Sequence, residues 1–207
     1  MPGPSGVLTG IFFALAACEI ALAQGEDFNS LPPSPAEKWQ LFIRETFSPL
    51  TVGAGAFNGT FAQLTHSDPL YGSGWSAWSQ RFGASTADIA TQNFFGDFLL
   101  GAALHEDTRY RRAGPGHAFW SRVGHATRSG FLTQKDAGGM TVNWSNIAGT
   151  AISAGISNVY YPPATRNAQA AAIHFGTSVV GTGLGNLAPE FWPDFRSWVT
   201  RRLHGFR

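Results

Sequence analysis

The part of the sequence whose residue types could do chemistry is the segment 104–112, LHEDTRYRR. It joins a histidine, two carboxylates and three guanidinium groups in one short run. His105 and Asp107 are the residue types of a general base and of the carboxylate that orients it. They are therefore the candidate catalytic pair, and the neighbouring arginines could hold an anionic substrate.

The same segment opens a strongly basic stretch. Between Thr108 and Gln134 there are five arginines and no acidic residue. A surface of this kind suits anionic lipid headgroups or acidic polysaccharide. The candidate anion-binding residues are Arg109, Arg111, Arg112, Arg122 and Arg128. The alternative is structural, because Glu106 and Asp107 can pair with nearby arginines at the end of a helix.

Composition excludes several other classes of function. A single cysteine cannot build a disulfide framework or a cysteine-based zinc site, and no H-E-x-x-H spacing supports another metal centre. The sequence has no Walker loop, no G-x-S-x-G and no dinucleotide-binding glycine pattern after a strand. A net charge of +1 gives no general attraction to nucleic acid. We therefore predict no metal, no cofactor and no nucleic-acid partner.

A second group of polar side chains follows in the segment 143–161. It consists of three amides and two phenols: Asn143, Asn146, Asn158, Tyr160 and Tyr161. Buried amides require hydrogen-bond partners, and such sets more often fix the register of packed helices than perform chemistry. We predict a structural role for this set.

The elements that position these residues are predicted to be helices. One begins where Ser34 precedes Pro35 and Glu37, which is the pattern of a capping box. Only 13% of the residues are charged, and four stretches hold almost no charge: 46–67, 89–104, 142–165 and 167–189. Their length, their alanine content and the absence of period-two alternation favour helices, and a last helix is predicted to start near Pro193. The predicted fold class is all-α, a compact bundle of about five to seven helices.

Small side chains recur every four residues in the last two of these stretches. The first ridge is Ser145, Gly149, Ser153 and Ser157, and further small positions are Ala172, Gly176, Gly181 and Gly185. This spacing lets helix backbones approach closely, which offsets the cost of about 1 kcal/mol for a glycine inside a helix. We predict a close-packed hairpin over residues 144–188, in contact with a neighbouring helix or with a second copy of the chain.

Two environments explain the uncharged stretches, and the sequence leaves both open. Tryptophans and tyrosines near their ends resemble the aromatic belts of membrane proteins, whereas amides and Asp97 inside them disfavour insertion. A bundle whose helices cover one another, with or without contact to a membrane surface, is the favoured interpretation. An oligomeric membrane protein of the glycine-zipper type is the alternative.

The first 23 residues are predicted to be an export signal. Residues 7–17 form an apolar run of the length of a signal-peptide core. Ala21-Leu22-Ala23 fits simple cleavage, whereas the four residues that end at Cys18 resemble a lipobox in which this cysteine would be lipidated. Residues 24–34 are predicted to be a linker and residues 35–207 a single helical domain. The predicted location is the periplasm or the cell envelope, with or without a membrane anchor.

The two polar segments together resemble a group of uncharacterised exported bacterial proteins. In that group a His-x-Asp-x-Arg-Tyr segment is followed by an Asn-x-Tyr-Tyr-Pro segment. The matching positions here are His105, Asp107, Arg109 and Tyr110, and then Asn158, Tyr160, Tyr161 and Pro162. The resemblance covers residues 37–198 and implies an exported helical protein without implying an activity. It leads us to expect the two segments to be neighbours in space.

These observations favour a non-enzymatic protein of the envelope with a structural or interaction role. In this hypothesis the arginine-rich segment contacts anionic envelope components, and a homo-oligomer is one way to cover the small-residue ridges. The first alternative is a hydrolase or transferase that acts on a lipid or glycan through His105 and Asp107. It predicts that His105 is accessible beside a concavity formed by the segments 104–112 and 158–162. The oligomeric glycine-zipper membrane protein is the second alternative.

Overall fold

Helices make up most of residues 32–204, the part of the chain that the structure, a computed structural model, describes. They are α1 (Pro35–Thr46), α2 (Pro49–Thr65), α3 (Trp75–Gln92), α4 (Phe119–Arg128), α5 (Trp144–Ile156), α6 (Ala168–Gly185) and α7 (Leu187–His204). The predicted all-α class is confirmed, because these residues add only a small sheet to the helices. The predicted signal peptide, with Cys18, and most of the predicted linker lie outside the described residues.

The start of α1 is the one that the sequence predicts. The Ser34 hydroxyl accepts a hydrogen bond from the Glu37 N–H at 3.3 Å, and the Glu37 carboxylate accepts one from the Ser34 N–H at 2.7 Å. Both halves of the capping box are therefore formed. After α1, Ser48 caps α2 by accepting a hydrogen bond from the Thr51 N–H at 3.1 Å.

The central helix changes its winding along its length. α3 continues without a break into a π-helical segment (Asn93–Leu100) and a last α-helical turn (Gly101–Ala103). The π-helical segment lies directly against α5, where a Cβ added to Gly149 would be 2.4 Å from the Gly96 Cα. A π-helix is rare, and the uncharged stretch 89–104 predicts a helix without predicting this change.

Three short strands form between the central helix and α5, and the sequence pattern does not predict them. They are β1 (Glu106–Asp107), β2 (Leu132–Lys135) and β3 (Met140–Val142), paired antiparallel in the order β1-β2-β3. Glu106 pairs with Lys135, and Leu132 pairs with Val142. Strands this short show too little alternation to be distinguished from turns in a sequence. The sheet holds the segment 104–112 beside the start of α5.

The helices pack in the order α2, α3, α5 and α6. α5 and α6 are antiparallel, because Asn146 near the start of α5 and Thr182 near the end of α6 share the side chain of Gln92. α1 packs on the π-helical segment, whereas α4 and α7 pack on each other and on α6. α2 is therefore an outermost helix that contacts the bundle mainly through α3.

The two sets of small residues lie in different surroundings. The ridge of α5 is buried against α3 and the π-helical segment, and it consists of Ser145, Gly149, Ser153 and Ser157. The set on α6 is exposed, and it consists of Ala172, Gly176, Gly181 and Gly185. Nothing in the described chain lies within 4 Å of a Cβ added at any of the latter three. α6 packs inward through Val179 and Gly183 instead of through the predicted positions, with Gly183 against the Thr127 carbonyl.

α7 begins at Leu187 and therefore earlier than the sequence predicts. Pro193 lies inside the helix instead of at its start. The prediction is wrong because the turn before Pro193 is already helical, with the Glu190 N–H donating to the Asn186 carbonyl at 3.1 Å. Pro189 lies in the first turn of α7, where the absence of an N–H is tolerated.

Candidate functional site

His105 and Asp107 do not form the predicted catalytic pair. His105 has a left-handed backbone conformation (φ 54°), and 81% of its side chain is exposed. Its Nδ1 lies 3.9 Å from Asp136 Oδ2, which is too far for a hydrogen bond. Asp107 is buried in β1. The predicted general base is accessible, but its orienting carboxylate is bound elsewhere.

Asp107 is bound by two arginines of its own segment. Arg109 donates to its two carboxylate oxygens through Nε and Nη2, each at 2.8 Å, and Arg111 Nη2 donates at 2.6 Å. Burial by itself raises the pKa of Asp107, but these charged donors outweigh burial and hold the pKa below its usual value. Asp107 is therefore an ionised partner of arginines, which is the structural alternative that the sequence left open.

Glu106 and Lys38 connect this segment to the rest of the fold. Glu106 Oε2 accepts a hydrogen bond from the Ser145 N–H at 2.9 Å, so a buried carboxylate caps the N-terminus of α5. The ammonium of Lys38, only 2% exposed, donates to the carbonyls of Gly101 and Glu106 and to Asp136 Oδ2 at 2.8–3.0 Å. All three N–H donors of this buried lysine are satisfied. Lys38 thereby ties α1 to the central helix and the sheet.

Two further arginines of the predicted anion-binding set converge on α7. The Glu190 cluster consists of Tyr110, Arg112, Arg122, Glu190 and Asp194. The Glu190 carboxylate is fully buried and accepts hydrogen bonds from Arg122 Nε at 2.6 Å and from the Tyr110 hydroxyl at 2.7 Å. The N–H groups of Ala113 and Gly114 donate to the same carboxylate at 3.0 and 3.1 Å. This side chain holds the loop before α4 against α7.

Asp194 completes the cluster one turn later on α7. It accepts hydrogen bonds from Arg112 Nη2 at 3.0 Å and from Arg122 Nη2 at 2.5 Å. The Arg122 guanidinium also lies 4.4 Å from the centre of the Phe191 ring. Burial raises the pKa of Glu190 and Asp194, but the hydrogen bonds from the arginines outweigh burial and lower both pKa values. Two guanidinium groups therefore balance two ionised carboxylates.

The anion-binding surface predicted from the five arginines is therefore largely internal. Arg109 and Arg111 bind Asp107, and Arg112 and Arg122 bind the carboxylates of α7. Arg128 is exposed at the end of α4. The sequence pattern misleads here because carboxylates outside the segment 108–134 pair with these arginines: the adjacent Asp107 in two cases, and the distant Glu190 and Asp194 in the other two.

Another carboxylate site lies between α3, α6 and the turn after α5. Asp88 accepts hydrogen bonds from the hydroxyls of Tyr160 and Tyr161, each at 2.6 Å, and His174 Nε2 lies 3.6 Å from it. Burial raises the pKa of Asp88, although His174 and the tyrosine hydroxyls oppose this change. Burial and the adjacent Asp88 also raise the pKa values of both tyrosines. The Asp88 carboxylate thus connects α3 with the turn after α5 and with α6.

The predicted polar set 143–161 is divided between the two ends of α5. Asn143 caps the start of α5 by accepting from the Asn146 N–H at 3.1 Å, and Asn146 donates to the Gly130 carbonyl at 3.0 Å. At the other end, Asn158 donates to carbonyls of the last turn of α5. A helix of 13 residues is about 20 Å long, with the His105 segment at one end and the Tyr160 segment at the other. The expectation that these segments are spatial partners is therefore wrong.

Asp88, His174 and Glu190 received no role from the sequence pattern. Each is an isolated ionisable residue inside or directly beside an uncharged stretch. That isolation is a usable signal, since an ionisable side chain in a buried helix requires a specific partner. The partner itself could not be named, because it comes from a distant part of the chain in each case.

The packing of α2 is inverted relative to an ordinary surface helix. The side that faces α3 is buried and consists of Thr51, Gly55, Gly59 and Ala62. A Cβ added to Gly59 would lie 3.1 Å from the Phe82 nitrogen, so the two helix backbones are close. The spacing of these small residues is visible in the sequence, but close packing was predicted only for the small residues of the hairpin 144–188.

Large apolar side chains cover the opposite side of α2. The α2 outer face consists of Leu50, Phe57, Phe61 and Leu64, which are 41–73% exposed. Their spacing of seven, four and three residues places them on one side of the helix. The outward side of α6 is similar, since Ile173, Val180 and Leu184 are each about half exposed.

The same inversion holds across residues 32–204. The buried apolar residues there are mostly alanines, whereas the buried polar ones include Lys38, Arg81, Arg122 and Glu190. Large apolar residues are usually buried and unpaired charges exposed. No helix in this part of the chain combines the length and the apolar character needed to cross a membrane.

Comparisons with other proteins supply no function for these features. No family model, no curated protein and no solved structure matches the chain. Within residues 32–204, no group of three His, Cys, Asp or Glu side chains is placed to hold a metal ion. The geometry of the clusters and of the outer faces is therefore the basis for a function.

Proposed function

We propose that this protein is an exported, non-catalytic scaffold that lies on a membrane surface, with the α2 outer face in contact with lipid acyl chains. The observation that carries the proposal is the inversion of α2. Small residues face the bundle, while Phe57 and Phe61 are 69% and 56% exposed. Exposed apolar surface of this extent marks a site of interaction with protein or membrane.

Lipid is the covering favoured by the surroundings of the α2 outer face. Residues 46–67 contain no charged side chain, whereas an interface between proteins is typically surrounded by a polar rim. Aromatic residues lie at both ends of α2. Phe47 precedes it, and Trp75 lies beside its end, because Gln63 donates to the carbonyl of Gly74 at 3.1 Å. Both aromatic side chains are more than three-quarters exposed, and tryptophan concentrates at the membrane–water boundary.

A scaffold is favoured over an enzyme because the ionisable clusters bind within the chain. The carboxylates of Asp107, Glu190 and Asp88 each accept hydrogen bonds from two or more side chains of this chain, and His105 lacks an orienting carboxylate. Export is supported by the apolar run 7–17 and by the cleavage pattern that follows it. Attachment in the plane of the membrane agrees with helices that carry an exposed apolar side.

The test is binding of the full chain to phosphatidylcholine vesicles, measured by flotation. We expect the wild-type chain to float with the vesicles and the variant Phe57→Ser/Phe61→Ser to bind more weakly. Transfer of a phenylalanine side chain out of water is worth about 1.5–3 kcal/mol, so the loss of two should weaken binding by at least about a hundredfold. Both side chains are exposed, so the fold should be unchanged by circular dichroism.

The matched control is Met140→Ser/Val142→Ser, which removes two exposed apolar side chains from β3. This variant should bind vesicles as the wild type does. The apolar run 7–17 is present in every variant and contributes equally to each. Equal half-binding lipid concentrations for the two double variants would contradict the proposal.

A further inference from the structure

The two halves of α7 have different surroundings. The first half is tied to the fold through Glu190 and Asp194 in the Glu190 cluster. Beyond Ser197 the side chains are largely exposed, and they include Trp198, Arg201, Arg202 and Leu203. We name these four residues the α7 tip. This helix end presents one tryptophan and one leucine beside two arginines. A partner that matches it offers both apolar surface and negative charge.

An aromatic ladder leads along α7 to this tip. The ring centres of Trp192 and Phe195 are 5.7 Å apart, and those of Phe195 and Trp198 are 6.2 Å apart. The Arg202 guanidinium lies 5.5 Å from the centre of the Trp198 ring. The guanidinium and the indole therefore occupy the same side of the helix, as a combined apolar and cationic surface.

The charge on this surface is uncompensated by the acidic residues of α7. Glu190 and Asp194 are neutralised by Arg122 and Arg112 on the inward side of the helix. The sequence from Phe195 to His204 contains no further acidic residue. The α7 tip is therefore a positive surface, in contrast to the internal arginines of the segment 108–134.

We propose that the α7 tip binds the anionic headgroups of a lipid bilayer, with Trp198 at the level of the headgroups and Arg201 and Arg202 on the phosphates. The proposal rests on the proposed membrane association and names the class of lipid. An anionic bilayer surface provides both apolar cover and negative charge. A soluble polyanion provides only the charge, and a two-fold symmetric dimer through this surface would place two positive tips against each other.

The experiment compares binding of the full chain to vesicles of phosphatidylcholine and to vesicles of equimolar phosphatidylcholine and phosphatidylglycerol. We expect the wild type to prefer the anionic vesicles. Arg201→Gln/Arg202→Gln should lower affinity for the anionic vesicles about thirtyfold, from the typical contribution of two arginines near a charged membrane. Its binding to phosphatidylcholine vesicles should change little. Trp198→Ser should weaken binding to both kinds of vesicle.

The matched control is Arg128→Gln/Lys135→Gln, which removes the same charge from exposed positions on α4 and β2. It should keep the preference for anionic vesicles. Equal binding of the wild type to both kinds of vesicle, or equal losses in the two charge variants, would overturn the proposal. A soluble polyanion would be the ligand instead if two results were found together. The chain would bind poly-L-glutamate through Arg201 and Arg202 without needing Trp198, and Trp198→Ser would bind vesicles as the wild type does.

The outcomes for the two surfaces are distinguishable. If Phe57→Ser/Phe61→Ser binds phosphatidylcholine vesicles like the wild type while the Arg201 and Arg202 variant loses its preference, the α2 outer face is not the lipid contact and the α7 tip is. If the wild type binds both vesicles equally and depends on Phe57 and Phe61, the proposed function stands and the α7 tip has no role in lipid choice.

Discussion

Arg122 illustrates how a charged side chain becomes part of the interior of this bundle. Its guanidinium donates to the Glu190 carboxylate, to the Glu190 carbonyl and to Asp194, and it lies over the ring of Phe191. A buried ion pair adds little net stability compared with apolar packing, but the loss of one partner leaves the other charge uncompensated. The energetic importance of Arg122 therefore appears when it is removed.

We expect Arg122→Ala to lower the free energy of unfolding by about 3–5 kcal/mol, the usual effect of breaking a buried pair. The matched control is Arg128→Ala on the same helix, where the arginine is exposed and the change should stay within about 0.5 kcal/mol. Both are measured by urea unfolding in one mild detergent. Equal effects of the two substitutions would show that the Glu190 cluster does not hold α4 against α7.

Sequence reasoning identified the ionisable segment 104–112 but not the partners of its residues. The structural alternative for Asp107 could be stated because Arg109 and Arg111 are its neighbours in the chain. The partners of Arg112 and Arg122 lie on α7, far along the chain, and one sequence offers no means of pairing them. Local charge patterns therefore offered the Asp107 ion pairs as an alternative to a catalytic role and missed the Glu190 cluster.

At the scale of elements, the predictable features are those determined by neighbouring residues. The capping box of Ser34 and Glu37 is an example, because its partners are three residues apart. The three strands and the π-helical segment depend on tertiary contacts, such as that between Gly96 and Gly149. Such contacts have no local signature beyond the presence of a glycine.

The contact of the π-helical segment with α5 gives a prediction for two glycines that look equivalent in the sequence. Gly149→Ala should destabilise the fold by several kcal/mol, because its Cβ would meet the backbone of Gly96 at 2.4–2.5 Å and the helices would have to separate. Gly176→Ala should be neutral or stabilising by up to about 1 kcal/mol, since the site is open and alanine favours a helix. Thermal unfolding of both variants in the same detergent is the measurement, and a Gly149→Ala variant as stable as Gly176→Ala would contradict the contact.

The whole molecule has a polar interior and apolar outer helices, an arrangement that composition alone does not determine. A low fraction of charged residues is compatible with helices buried in protein or in lipid, and the sequence left these alternatives open. In α2, Phe57 and Phe61 point away from the bundle, so the other helices of the described chain do not cover them. The ridge Thr51, Gly55 and Gly59 is the sequence feature that corresponds to this direction.

A polar interior also determines how the stability of the whole molecule depends on pH. The pKa values of Asp107, Glu190 and Asp194 are lowered in the fold from ordinary values of about 4. These three carboxylates therefore stabilise the fold fully when the pH is above their ordinary pKa values. The stabilisation is lost as the pH falls through their lowered pKa values. Burial raises the pKa values of Asp88 and Asp97. Their contributions to the free energy of unfolding therefore have the opposite sign, because the fold weakens as the pH rises from the ordinary pKa to the raised pKa of each group.

We therefore expect the free energy of unfolding to be greatest in mildly acidic solution, to decline towards neutral pH, and to fall steeply below pH about 4. Urea titrations across this range are the measurement. Asp88→Asn should reduce the decline on the neutral side, because a neutral amide does not titrate, and should leave the steep acidic fall in place. The acidic fall belongs to the three carboxylates bound by arginines, so a fold whose stability does not decline at all as pH falls below about 4 would show that these ion pairs do not hold the interior together.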